Sequence, residues 1–321
     1  MRAAVIEAAG EPPVVRERER PTGGSDAVTI AVRAAPITPL DLLCASGTSY
    51  FGCPALPYVP GVQGVGTVES GSASLRPGTL VWFATAAGMA PGDGSMSEVA
   101  TAPERDVVAL DPAADPVLIA GLGLSAVAAW MALTWRGGLR AGERVLVLGA
   151  GGVVGQSAIQ LARLAGAGRV IAAARSAEAR ERAARLGADE VVALHATDGV
   201  DELAERMAAA CAGPVDLVLD PLFGVPAAAA LRTLGTGGRL VNLGSSAAAT
   251  APLESAVLRS RTVAVLGYTN NELSPDQRRQ ALEVVAGHAT AGRLTVDREP
   301  VPLTSATEAW GRTGARVVLT P

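Results

Sequence analysis

The sequence predicts an α/β protein in which a doubly wound parallel sheet sits beside a second, strand-rich domain. Three observations carry that expectation. From Ala141 onward strand, turn and amphipathic helix repeat; before residue 117 short apolar pieces of four to eight residues alternate with Gly, Pro and Ser; and the closing segment ARVVLTP is one more strand, placed to return to the first domain. With 321 residues and 49% apolar content, the chain has material for more than one core.

In the first third the pieces AAVIEA, VTIAVRAA, GVGTVES and GTLVWFA read as strands separated by turns. Pro36, Pro39, Pro54, Pro57 and Pro60 then mark residues 35–61 as a long wrapped loop, with a short helix starting near Thr38 to Asp41. Such a loop is a natural pocket wall. Residues 117–135 carry no charge over 19 positions, long enough to span hydrocarbon. Asp115 before them, the βαβ unit after them and the small residues Gly121, Gly123 and Ala132 within them favour a helix buried between a sheet and a neighbouring domain, and no membrane association is expected.

The segment GERVLVLGAGGVVGQSAIQLARLAGAGRVIAAAR reads as strand (Arg144–Leu148), glycine turn, helix from near Gly152, turn, and strand (Arg169–Ala174). The pattern repeats through SAEARERAARLG (helix), VVAL (strand), DELAERMAAACA (helix), VDLVLD (strand), an Ala-rich helix over 225–234, and the strands GGRLVNLG and RTVAVLG. Apolar strands alternating with helices imply a parallel sheet covered on both faces. The last helix has a clear start: Ser274 as N-cap, Pro275 at the first helical position and Gln277 completing a capping box. The expected domains are therefore 1–119, 120–267, and 268–321 returning to the first.

The turn Gly149-Ala150-Gly151-Gly152-Val153-Val154-Gly155 follows a strand and opens a helix, the context in which a glycine motif is informative. Counted from Ala150 it fits AxGxxG. Gly152 would let the backbone approach a pyrophosphate at the helix N-terminus, and Gly155 would let helix and strand pack closely. The second strand ends Ala172-Ala173-Ala174-Arg175-Ser176, without the acid that usually accepts hydrogen bonds from the ribose of NAD. Arg175, Ser176 and Arg180 are placed to hold a 2'-phosphate by charge-assisted bonds, so the expected cofactor is NADPH.

Composition excludes several classes. A net charge of -4 with no basic run, and only three Phe, three Tyr and four Trp, disfavour nucleic acid. Cys44, Cys53 and Cys211 have no CxxC spacing and read as reduced thiols, and the N-terminus reads as a strand and turn; a cytoplasmic protein is expected. His195 and His288 are the only histidines, and no Cys, His and carboxylate cluster has ligand spacing, so no metal site is expected.

Taken together, MRAAVIEAAGEP, ITPLDLLCASG, PALPYVPGVQGVGTV, LGLSAVAAWMAL, LVLGAGGVVGQSAIQLARLAGA, VDLVLDPLFG, LGTGGRLVNLGS and ARVVLTP resemble the medium-chain dehydrogenase/reductase superfamily, in its zinc-free quinone oxidoreductase-like branch. The resemblance implies a Rossmann-type cofactor domain and a GroES-like substrate domain, with homodimerisation through the former. It places Ser125 near the nicotinamide, where relatives carry Thr. It also implies that Leu243, Gly244 and Ser245, then Leu266 and Gly267, and Arg316 in the last strand enclose the dinucleotide.

The departures bear on chemistry. Zinc relatives carry Cys at the position of Thr38 and a His-Glu pair at Val62-Gln63; quinone reductases carry Asn at Thr38 and Glu at Gln63, and their GGYAE motif stands here as Gly94-Ser95-Met96-Ser97-Glu98. Without a metal, hydride transfer works most simply on an already polarised double bond. The expected activity is NADPH-dependent reduction of the activated C=C of an enone, enal or quinone, a small conjugated carbonyl substrate. Tyr50, Thr38, Gln63 and Asp41 are the candidate catalytic groups. A pathway reductase for an enoyl thioester or biosynthetic intermediate, and a catalytically weak NADPH-binding redox sensor, are the alternatives.

Overall fold

The computed structural model describes residues 1–23, 27–49, 51–71 and 74–321. The chain divides into two compact units, residues 1–123 with 274–321, and residues 124–273. These breaks fall at a helix kink and just before the Ser274 cap, a few residues beyond the expected positions.

The first unit begins with an antiparallel pair, β1 (Arg2–Val5) and β2 (Val14–Glu17). The long β3 (Ala27–Pro36) follows, then α1 (Pro39–Ala45), β4 (Gln63–Ser70), β5 (Leu80–Ala84), β6 (Val99–Pro103) and β7 (Val107–Ala109). On β3, Val28, Ile30 and Val32 send every second side chain into a core shared with Val68, Val81, Phe83 and Ala100. Met96 is fully buried in the same core, so the residue standing where relatives have Tyr is a packing group.

Next comes α2 (Pro116–Met131), extended by a π turn over Ala132–Arg136. Of the apolar window within Pro116–Arg136, 67% is buried. The helix is broken at Gly123, whose φ of 32° and ψ of -132° are not helical. A side chain there would fail on two counts: its Cβ would lie 2.6 Å from Cδ of Gln63, and the positive φ disfavours L residues.

The second unit alternates strictly: β8 (Arg144–Leu148), α3 (Val153–Leu164), β9 (Arg169–Ala174), α4 (Ala177–Arg185), β10 (Glu190–Ala193), α5 (Val200–Cys211), β11 (Val215–Asp220), α6 (Gly224–Leu231), β12 (Leu234–Asn242), α7 (Ser255–Ser260) and β13 (Ala264–Gly267). All strand pairs are parallel, in the order β10-β9-β8-β11-β12-β13. Strand order reverses between β8 and β11, where such sheets open a crevice at their carboxyl ends. The Ala-rich helix ends three residues earlier than expected, and Leu234 pairs with Val215 and already belongs to β12. The short α7 has no counterpart in the sequence reading.

The chain then re-enters the first unit. In α8 (Pro275–Thr290) the capping box forms as expected: Gln277 N donates to Ser274 Oγ (3.2 Å) and Ser274 N to Gln277 Oε1 (3.0 Å). After β14 (Arg298–Pro302) and α9 (Ala306–Ala309), β15 (Arg316–Thr320) lies parallel to β14 and antiparallel to β3. The terminal strand thereby joins the seven-stranded sheet that β3 begins.

Candidate functional site

The carboxyl edge of the second unit gathers most of the expected cofactor residues. After β8 the chain turns at Gly149 (φ 67°), where glycine is required. Ala150 N donates to Ala173 O (3.0 Å) and Gly152 N to Gly149 O (3.1 Å), while Gln156 Nε2 holds Gly151 O (3.0 Å). Two expected donors, the Ala150 and Gly152 amides, are therefore spent on the turn itself. The amides of Val153, Val154 and Gly155 form the first turn of α3 and have no intrahelical acceptor; no acidic side chain opposes them there.

The two key glycines differ in what they are for. A Cβ on Gly155 would collide with Gly149 O and lie 2.6 Å from Ala150 Cα, so this glycine is demanded by the fold. A Cβ on Gly152 would find Gly149 O at 3.8 Å and no nearer atom, with φ -84° and ψ 166° open to any residue. The fold does not need glycine at 152. The space over it, faced by free helix-terminal amides, fits a pyrophosphate.

At the end of β9, Arg175 and Ser176 are exposed. The Arg175 guanidinium has no hydrogen-bond or ion-pair partner among the described residues. Ser176 Oγ caps α4 by accepting from Ala179 N (3.2 Å). Arg180 differs from expectation: its NH1 donates to Arg175 O (2.6 Å) and Ala174 O (3.5 Å), so this guanidinium fastens the strand end from below.

The loops after β11 and β12 are joined by a residue that the sequence reading passed over. Asp220, fully buried, accepts from Leu222 N (2.9 Å) and Phe223 N (2.8 Å) on Oδ1 and from Asn242 Nδ2 (2.9 Å) on Oδ2. Burial pushes its carboxyl pKa up, and these hydrogen bonds oppose the rise. Asn242 Nδ2 also donates to Gly244 O (2.8 Å), and Leu243 N to Asp220 O (2.9 Å). A Cβ on Gly244 would lie 2.8 Å from Pro221 O. Phe223 sits at φ 59°, a strained conformation held by the Asp220 carboxylate. The sequence signal was an acid ending an otherwise apolar strand, VDLVLD, directly before Pro. Ser245 is exposed at the same edge, Leu266 and Gly267 end β13, and the half-buried Ser125 lies just after the break in α2.

The candidate catalytic groups Thr38, Asp41 and Gln63 belong to the first unit, where each has defined hydrogen-bond partners. Tyr50 lies outside the described residues. Thr38 is the N-cap of α1: its Oγ1 donates to Asp41 Oδ2 (2.6 Å) and accepts from Asp41 N (3.3 Å). Asp41, 2% exposed, also takes Thr38 N on Oδ2 (2.8 Å), and Gly61 N (3.1 Å) and Val62 N (2.9 Å) on Oδ1. Both oxygens accept hydrogen bonds, which makes Asp41 a clasp between α1 and the 61–62 turn. Burial raises its pKa; the Thr38 and Val62 donors and the Arg316 charge act against that.

Gln63, 1% exposed, accepts from Trp82 Nε1 on Oε1 (3.1 Å) and packs against Gly123; its amide oxygen is taken. Arg316, expected to enclose the dinucleotide, donates from NH1 to Ile37 O (2.5 Å) beside the Asp41 charge. Thr38 and Asp41 are thus joined by hydrogen bonds with the Arg316 charge beside them, while Gln63 is held separately by Trp82. Among the described residues no group of three or more His, Cys, Asp or Glu side chains is placed to hold a metal ion.

The family profile described as the alcohol dehydrogenase GroES-like domain matches residues 24–112, and that described as zinc-binding dehydrogenase matches residues 153–287. The quinone oxidoreductase of Rattus norvegicus is 32% identical over 251 residues, covering 76% of this chain and 73% of that protein. The synaptic vesicle membrane protein VAT-1 homolog of the same organism is 31% identical over 245 residues; the match covers 75% of this chain but only 58% of that longer protein. Among solved structures, a mycobacterial protein complexed with NADPH superposes with a TM-score of 0.85 at 22% identity, covering 100% of both chains.

Proposed function

The chain belongs to the medium-chain dehydrogenase/reductase superfamily, in its quinone oxidoreductase-like branch, and on that premise we propose that it is an NADPH-dependent reductase of the activated C=C of an enone, enal or quinone, working without zinc. One observation carries the cofactor reading: the space above Gly152, which the fold leaves open and the free amides of Val153, Val154 and Gly155 face. Arg175, exposed and unpaired among the described residues at the end of a strand that lacks the ribose-binding acid, supports the 2'-phosphate form. The mycobacterial NADPH complex supports the same cofactor, and the Rattus quinone oxidoreductase supports a quinone-type acceptor.

A bound nicotinamide supplies the hydride. The protein's own residues bind, orient and shield. The α3 amides and Arg175 take the two phosphate positions, and the Asp220–Asn242 pair fixes the wall made by the loops after β11 and β12. Ser125 would serve the nicotinamide end, as the family resemblance implies. The substrate carbonyl would be polarised by hydrogen bonds as charge develops on it, and the enolate left by hydride addition would take its proton from water. Zinc has no place in this scheme because the positions used by zinc relatives are Thr38, Val62 and Gln63, of which Thr38 caps a helix, Val62 offers no ligand atom and Gln63 binds Trp82.

The protein is further read as a cytoplasmic homodimer. The edge strand β13 leaves Val265 exposed, with Trp135 exposed close by against Tyr268, and a second copy of this chain is the occupant that would cover both.

The test is a screen of NADPH and NADH consumption across enones, enals, quinones and enoyl thioesters, with zinc measured after dialysis against chelator. Turnover of enones or quinones with NADPH by metal-free protein supports the proposal. Turnover of thioesters alone moves the activity to a pathway reductase; tight NADPH binding with no substrate reduced moves it to a redox sensor. One retained zinc per chain overturns the metal-free reading.

A further inference from the structure

The second unit contains a clamp that none of the site residues above explains. Just after the break at Gly123, Leu124 O accepts a hydrogen bond from Asn270 Nδ2 at 3.0 Å, across 146 residues of sequence. Asn270 Oδ1 in turn accepts from Tyr268 OH at 2.7 Å. At the other end of the same helical segment, Trp135 meets the Tyr268 ring edge-on, centroids 6.3 Å apart at 73°, and Arg136 Nε donates to Gly267 O at 2.8 Å. The segment 124–136 is therefore fastened at both ends to residues 267–270, which leave the carboxyl end of β13.

The arrangement is specific in direction. An asparagine amide can be turned either way about its last bond, but only its Nδ2 can donate to the Leu124 carbonyl. The Tyr268 hydroxyl, donating to Oδ1, leaves Nδ2 as the group aimed at Leu124 O. Burial pushes the Tyr268 phenol pKa well above its ordinary value, so it remains a donor throughout the physiological range. The break at Gly123 removes helical continuity on the N-terminal side, and the Asn270 bond fastens Leu124, next to Ser125, from outside the helix.

We propose that Asn270, oriented by Tyr268, is a positioning residue that sets the Ser125 turn against the nicotinamide end of the bound cofactor. The inference rests on the reading of Ser125 given above. The adenosine half of the dinucleotide is held elsewhere, by the α3 turn and Arg175, so losing the clamp loosens the reacting end and leaves anchoring intact.

The experiment uses the full chain with NADPH, comparing wild type with Asn270→Ala, Asn270→Asp and the milder Tyr268→Phe. Bound nicotinamide is read by its fluorescence and its accessibility to acrylamide, affinity by titration, and turnover with the best acceptor from the screen. Expected are a Kd within about threefold of wild type, at least about a twofold rise in the quenching constant, and a kcat lower by about tenfold at little-changed KM, as loss of alignment without loss of binding requires. Tyr268→Phe should move the same readouts less far. A lower melting temperature with unchanged quenching and kcat overturns the proposal, as does a Kd that weakens in proportion to kcat. If wild type binds NADPH but reduces no acceptor, the activity proposed above fails, while the quenching comparison still decides for or against the clamp; if wild type does not bind NADPH, both fail.

Discussion

Replacing Gly152 with alanine should separate binding from folding. The added methyl meets only Gly149 O, at 3.8 Å, and the backbone at φ -84° and ψ 166° suits alanine. Lower entropy of the unfolded chain should then raise stability by about 0.4–1 kcal/mol, seen as a melting temperature about 1–4 °C higher for a unit of this size. The same methyl occupies the space assigned to pyrophosphate, and forcing one extra methyl into a packed contact costs about 1–3 kcal/mol. NADPH affinity should fall by about 5- to 150-fold. Gly155→Ala is the contrasting control: its methyl collides with Gly149 O and sits 2.6 Å from Ala150 Cα, so stability itself should fall. Thermal unfolding without cofactor and fluorescence titration with NADPH read the two effects independently. Normal NADPH affinity in a stable Gly152→Ala protein refutes the pyrophosphate assignment; a destabilised Gly152→Ala protein refutes the claim that the fold leaves this position open.

Arg175→Asp should weaken NADPH binding by about 10- to 150-fold, the worth of hydrogen bonds between charged groups, and NADH binding far less; equal losses by titration would show that Arg175 does not read the 2'-phosphate. Glu143 accepts from Arg239 NH1 (2.9 Å) and NH2 (2.6 Å) and from Arg140 N (2.9 Å). Burial would raise its pKa, but those bonds and the two guanidinium charges outweigh it and hold the pKa below 4.5. Its stabilisation should be fully present above the unfolded value near 4.5 and vanish as pH falls through the lower folded value. Glu143→Gln should accordingly cost about 1–3 kcal/mol in urea unfolding at pH 7 and less at pH 3, and an equal cost at both would contradict the pairing. Asp41→Ala should lower the melting temperature through the lost cap and the stranded Gly61 and Val62 amides, while the pH profile of turnover keeps its shape; the disappearance of one limb would restore Asp41 to catalysis.

The sequence carried what depends on neighbours. Alternation of apolar runs with amphipathic helices announced the parallel sheet, and the spacing of Gly149, Gly152 and Gly155 placed the turn at the switch point. Ser274 and Gln277 marked a helix start three residues apart. What stayed hidden depends on distant partners. Gln63 looks like a free amide until Trp82 is brought beside it, and Asp220 looks like a strand terminator until Asn242 arrives. The pair Thr38 and Asp41 was legible as a motif but ambiguous in purpose: the same spacing serves a capping box or a pocket acid, and only the Gly61 and Val62 amides decide between them. Arg175 and Arg180 were equivalent candidates five residues apart; the fold leaves one pointing outward and turns the other back onto its own strand.

The returning strand has a consequence for the order of events during synthesis. Residues 124–273 are contiguous, so the nucleotide-binding unit can close as soon as its last strand is made. The other unit cannot. Pro36 waits for Val318, and Ile37 O for the Arg316 guanidinium, a separation of 279 residues, which at about 5–20 residues per second is on the order of 15–55 s. For that interval the nascent chain carries a sheet with an unfilled edge at β3, next to the Asp41 clasp. Chaperone dependence, and sensitivity to slow translation late in the message, should concentrate in this unit.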